Sequence, residues 1–213
     1  VKIISMFQKL KYLKYFIVHL CNNWKQSKDS YAQHGEDKLI ENLLPNGVSS
    51  FLDIGANDGV LFSNTYKFAK GGASGICIEP SRSSYLKLKL NHIFNFPIKC
   101  LQVAISHIGE IMFLKEDGYE NVLSFISQNK TSDRYLVNTT SLADLLKRLP
   151  QFSSADLVSI DVEAFEEKVI QRAVDTLSAN KIINLEVDKI NLTNLLCLPT
   201  LKITLLIFQM ESF

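Results

Sequence analysis

An apolar run, residues 51–54, that breaks into Asp53-Ile54-Gly55-Ala56-Asn57-Asp58-Gly59 constrains the fold of this chain more than any other segment. A glycine at the end of a strand adopts positive φ at no steric cost and lets the backbone approach a neighbour closely. Asn tolerates that conformation better than most residues, so Asn57 stands where a further glycine would. A strand, a turn of this kind and a following helix form the first unit of an open α/β sheet. Such sheets bind ligands outside the carboxyl ends of their strands.

The rest of the chain fits the same plan. Helical spacing of apolar residues predicts helices over 33–44, 64–70, 83–92, 139–149 and 165–177. Short apolar runs predict strands over 51–54, 75–78, 98–105, 157–160, 182–185 and 201–208, with a hairpin partner over 110–114. Residues 117–138 are polar and read as an irregular loop or lid. Alternating strands and helices give an α/β, Rossmann-like fold: a doubly wound, mainly parallel sheet with helices on both faces. The organisation expected is an N-terminal helical arm, residues 1–32, followed by one domain, residues 33–213.

Composition narrows the partners. With 213 residues and a net charge of +1, no global field favours nucleic acid, and none is expected to bind. The four cysteines, Cys21, Cys77, Cys100 and Cys197, show no metal-like spacing, and two of them lie in apolar runs. A reducing, cytoplasmic setting is the expectation. The arm is basic over 2–14 and apolar over 15–21, too short for a spanning helix or the core of a signal peptide. It is expected to pack on the domain, the alternative being an amphipathic helix on a membrane surface. The Asn-x-Thr sequons at Asn129, Asn138 and Asn191 carry little weight without a secretory signal.

The ligand follows from the loop. Glu79 ends the second predicted strand, twenty residues after Gly59, where a carboxylate accepts both ribose hydroxyl hydrogens of an adenosine. There is no G-x-G-x-x-G, and Asp53 and Asp58 flank the turn. Two carboxylates repel a pyrophosphate and suit a sulfonium and an ammonium, so S-adenosylmethionine is expected rather than NAD. The cofactor-facing positions are Asp53, Gly55, Ala56, Asn57, Gly59 and Glu79, with Ala104 at the end of the third predicted strand.

Acidic residues crowd the end of the fourth strand: Asp161, Glu163 and Glu166, with Glu186 on the next. Methyl transfer to oxygen needs an aligned nucleophile and a base, and a carboxylate serves once its pKa is raised. Asp161 and then Glu163 are the candidates for that base. A second reading has Asp161, Glu163 and Glu186 holding Mg²⁺, which acidifies the acceptor hydroxyl. His34 either faces the cofactor or hydrogen-bonds locally, while His19, His92 and His107 have no ligand spacing and Trp24 belongs to no base-stacking pattern.

These segments resemble the FkbM methyltransferases. Gln33-His34-Gly35-Glu36-Asp37 is similar to the family's Q-x-G-E-D opening. Asp53 to Gly59 with Ser63-Asn64-Thr65 resembles its D-I-G-A-N-D-G loop and S-N-T helix start. Gly75 to Pro80 and Leu157 to Glu166 resemble its second and fourth strands. The resemblance runs over residues 33–186. It implies a class I methyltransferase fold, S-adenosylmethionine as cofactor, and a hydroxyl on a small molecule or carbohydrate as acceptor. Ala164 replaces the family's glycine, and the tail offers one strand where the fold would have an antiparallel pair. A catalytically impaired cofactor-binding or scaffold protein of the same fold is therefore the alternative.

Overall fold

The computed structural model describes residues 28–95, 97–106, 112–116, 124–127, 134–162, 182–187 and 204–209, with scattered positions between 10 and 21. Its elements in chain order are α1 (Glu36–Leu43), β1 (Ser50–Ile54), α2 (Tyr66–Lys70), β2 (Ser74–Ile78), α3 (Arg82–Asn91), β3 (Ile98–Leu101), β4 (Ala104–Ile105), β5 (Met112–Glu116), β6 (Ser124–Ser127), β7 (Arg134–Val137), β8 (Thr139–Thr140), α4 (Leu142–Arg148), β9 (Leu157–Ile160), β10 (Ile182–Val187) and β11 (Thr204–Gln209).

The main sheet has the order β11-β10-β9-β1-β2-β3, and every pairing in it is parallel. The chain runs outward from β1 through β2 to β3, and the later strands extend the sheet on the other side of β1. The β1–β9 boundary is thus the topological switch point.

Both faces of this sheet are covered, as near-continuous apolar strands require. Leu52, Ile54, Ile76, Ile78, Val158 and Ile160 pack against Leu142, Leu145 and Leu146 of α4. Phe51, Cys77 and Leu157 face the other way, against Ile40 of α1, Phe68 and Ala69 of α2 and Leu88 of α3. Each large side chain removed from water in this way contributes roughly 1.5–3 kcal/mol before conformational entropy is counted. Two helices start on serine caps: the Ser81 hydroxyl accepts from the Ser84 N–H at 3.2 Å, and that of Ser141 from the Asp144 N–H at 3.0 Å. The opening motif works differently. Gly35 turns the chain at φ 86°, and buried Asp37 accepts hydrogen bonds from the Ser30 hydroxyl and the Tyr31 N–H, tying residues before α1 to the domain.

Several expectations are corrected. The strand predicted over 98–105 is two: β3 stays in the main sheet, while β4 leaves it and pairs in parallel with β8. Residues 110–114 were expected to pair with that strand. Instead β5 lies between β6 and β7 in a separate antiparallel sheet. The stretch 117–138, expected to be irregular, therefore contains two strands. Its polar majority masks the short Phe125-Ile126 and Tyr135-Leu136-Val137 runs that a sheet needs. The helix predicted from 139 begins at Leu142, because the β-branched Thr139 and Thr140 form β8 and Ser141 caps. The tail contains β11, which lies parallel to β10 where the resembled fold has an antiparallel pair. Residues 188–203 between them are long enough for the crossover that a parallel partner requires. The predicted helix over 165–177, Glu163, Ala164 and Glu166 lie outside the described residues.

Candidate active site

The register brings the carboxyl ends of three strands level. Ile54 pairs with Ile78 on one side and Ile160 on the other. The residues that follow, Gly55, Glu79 and Asp161, therefore sit side by side at the switch point. Leu185 pairs with Ile160, so Glu186 follows in the same line one strand further on.

The loop after β1 is held almost wholly by its own chain. The N–H groups of Gly55 and Ala56 both donate to the Ile78 carbonyl, at 2.9 and 3.0 Å. The Asn57 N–H donates to the Glu79 carboxylate at 3.0 Å. The Gly59 N–H donates to the Ala56 carbonyl, and the N–H groups of Val60 and Leu61 both donate to the Asp58 carboxylate at 2.8 Å. Gly55, Asn57 and Gly59 all have positive φ, at 89°, 47° and 77°. Asn57 thus takes the left-handed place expected of it.

The two glycines serve different neighbours. A Cβ on Gly55 would fall 1.6 Å from the Asp161 carbonyl oxygen, so β1 and β9 can close only around a glycine. A Cβ on Gly59 would fall 2.5 Å from the Leu88 side chain and 2.9 Å from His92 Nε2, so this glycine lets α3 pack on the loop. His92 is buried, and burial lowers its pKa to about 4. Its ring meets that of Tyr66 edge to face with centroids 5.5 Å apart.

Glu79 is 6% exposed. Besides the Asn57 N–H it accepts the Ser81 N–H at 2.7 Å, one donor on each carboxylate oxygen.

The acids on which the sequence argument relied are engaged elsewhere. Asp53 is buried below the loop, where the Thr65 hydroxyl donates to it at 2.5 Å. Desolvation pushes its pKa up to about 6, against the lowering effect of Thr65. Asp58 caps the turn. The backbone N–H groups of Gly55, Ala56, Asn57, Gly59, Val60 and Leu61 are all engaged within the chain. In addition, α2 begins at Tyr66, seven residues after Gly59, so no helix N-terminus points from the turn.

Ala56 is buried among Ile40, Phe51 and Leu88. Ala104 is buried in another cluster, with Met112, Leu114 and Val137 at the base of the antiparallel sheet. Asp161 is half-buried, and its N–H donates to the Ile54 carbonyl at 2.8 Å. Glu163 lies outside the described residues. Among the described residues no cluster of three or more His, Cys, Asp or Glu could hold a metal ion, so the Mg²⁺ reading gains no support.

Sequence reasoning missed three features. Thr65 holds Asp53, and no spacing rule marks it. Ser81 fixes the backbone beside Glu79, a cap that Ser-x-x-Ser could have signalled. Tyr135 of β7 accepts the Arg82 N–H at 3.1 Å, and the Arg82 guanidinium lies 4.5 Å from its ring centre. That contact seats the antiparallel sheet on the start of α3, beside the site. Below it, buried Asn64 donates to the Ser159 hydroxyl at 3.5 Å, and its Oδ1 has no partner among the described residues.

A parallel sheet of this order, with its loop and acid at the switch point, defines a Rossmann-like α/β protein. Residues 53–195 match the Methyltransferase FkbM domain, and the chain belongs to that family. Comparison with the curated proteins and with the solved structures finds no match.

Proposed function

We propose that this chain transfers a methyl group from S-adenosylmethionine to a hydroxyl oxygen of a small molecule or carbohydrate. The observation that carries the reading is the loop of residues 55–61. Six of its backbone N–H groups bond within the chain, so it suits an adenosine ligand without phosphates, and it stands beside the Glu79 carboxylate. Family membership supports methyl transfer.

Bound S-adenosylmethionine would supply an electrophilic methyl group. Glu79, at the carboxyl end of β2 beside the loop, would hold the ribose hydroxyls. Asn57 would shape the wall of the cleft. Asp161, beyond the carboxyl end of β9, would orient the acceptor hydroxyl and take its proton. The antiparallel sheet seated on Arg82 would supply part of the acceptor pocket, as inserts on such scaffolds do.

Calorimetry with S-adenosylmethionine and with NAD, followed by transfer of labelled methyl to a panel of hydroxyl compounds, tests the proposal. Binding of the first ligand alone, with label in an ether product, is expected. Binding of NAD in its place would overturn the cofactor reading. Binding of S-adenosylmethionine with label passing only to nitrogen or carbon acceptors would overturn the oxygen reading.

A further inference from the structure

The N-terminal arm presents an apolar stripe to solvent. Leu10, Leu13, Ile17 and Val18 are 53%, 52%, 58% and 44% exposed, and Cys21 is exposed as well. Leu10, Leu13, Lys14 and Cys21 are helical, with Ile17 and Val18 in a wider helical turn. Steps of three and four residues place all of these on one side.

The charge of the arm says what covers it. Residues 1–28 contain Lys2, Lys9, Lys11, Lys14, Lys25 and Lys28 and no acidic residue, whereas residues 29–213 hold 17 basic and 22 acidic side chains. The near-neutral total hides a basic arm on an acidic body. The same arm is rich in aromatic residues: Phe7, Tyr12, Tyr15, Phe16 and Trp24.

The geometry points to an anionic lipid bilayer as the partner of this stripe. Apolar side chains on one face of a short cationic helix enter the headgroup–acyl boundary, and lysines answer anionic headgroups. Lys14 decides between a bilayer and a second copy of the chain. It is exposed within the stripe, one turn after Leu10 and one before Ile17 and Val18. Against the same stripe of another copy, two Lys14 ammonium groups would be brought together without an acid from either arm. On a bilayer each side chain reaches outward to the phosphates while its stem covers apolar surface.

Flotation of the full chain with phosphatidylglycerol–phosphatidylcholine vesicles, against phosphatidylcholine alone, tests this. Binding to the mixed vesicles, weakened by salt, is expected. Leu13→Asp with Ile17→Asp should abolish it. Lys9→Gln, Lys11→Gln and Lys14→Gln together should weaken it more than tenfold, each lysine being worth about fivefold. Circular dichroism should show all variants folded, because Leu13, Lys14 and Ile17 are exposed; the lysine set still decides should the aspartates unfold the arm. Equal binding to both vesicle types, or none to either, would overturn the proposal. A dimer in light scattering that Leu13→Asp with Ile17→Asp dissolves, without vesicle binding, would assign the stripe to a second copy.

Discussion

The carbonyl oxygen of Asp161 occupies the space that a side chain on Gly55 would need. The same two strand ends are joined by the Asp161 N–H on the Ile54 carbonyl. The glycine of the loop therefore answers first to the neighbouring strand, and the cleft is built around that contact.

Gly55→Ala should accordingly damage the fold as well as ligand binding. A Cβ overlapping a backbone oxygen and a positive φ act together, so a loss of roughly 3 kcal/mol or more is expected. Urea unfolding measures it. A Gly55→Ala chain as stable as the parent would show that the two strands can part without cost.

Glu79→Gln should weaken S-adenosylmethionine binding by roughly 1.5–3 kcal/mol, the worth of hydrogen bonds to a charged group. The change also sets an amide N–H₂ against the N–H of either Asn57 or Ser81. Calorimetry on the folded variant checks the affinity, and an unchanged value would remove Glu79 from the ribose site.

Asp53 gives the protein a pH signature. Burial raises its folded pKa to about 6, above the value of about 3.9 in an unfolded chain, so the folded state favours the neutral acid. Its contribution is fully present below about pH 4 and is lost as pH rises through about 6. Asp53→Asn keeps an acceptor for Thr65 and has no charge to bury. The variant should gain on the parent by up to about 3 kcal/mol between pH 4 and pH 7. Denaturant melts of both proteins across that window would run parallel if Asp53 were ionised at no cost.

Asp161→Asn keeps the shape of the strand end and removes its charge. Turnover on a genuine acceptor should fall by roughly two to four powers of ten, the yield of general-base chemistry. Cofactor affinity should change far less. Unchanged turnover would leave Asp161 with only its backbone role toward Gly55 and Ile54.

The sheet was legible wherever one physical signal dominated. Phe51 to Ile54, Gly75 to Ile78 and Leu157 to Ile160 are apolar runs stopped by loop residues, and all three are central strands. Gly55 and Asn57 announced the turn through the conformations they tolerate. What failed depended on distant partners. Ala104 and Ile105 looked continuous with β3, because nothing local shows that Thr139 and Thr140 will pair with them. Asp53 and Asp58 stand out as acids in the sequence, but which way each carboxylate turns is decided by Thr65 and by the amides of Val60 and Leu61.

The pairing of Ala104–Ile105 with Thr139–Thr140 works as a clasp. The chain departs from the core at Ser106 and returns at Asn138, and those two points are fixed by backbone bonds, Ser106 to Thr140 and Ala104 to Asn138. Whatever lies between them closes a loop whose ends are already together, and lengthening such a loop costs little, about 0.6 kcal/mol per doubling. The clasp thus sets residues 107–137 apart from the main sheet: a change of length among them leaves Ser106 and Asn138 where the backbone bonds hold them.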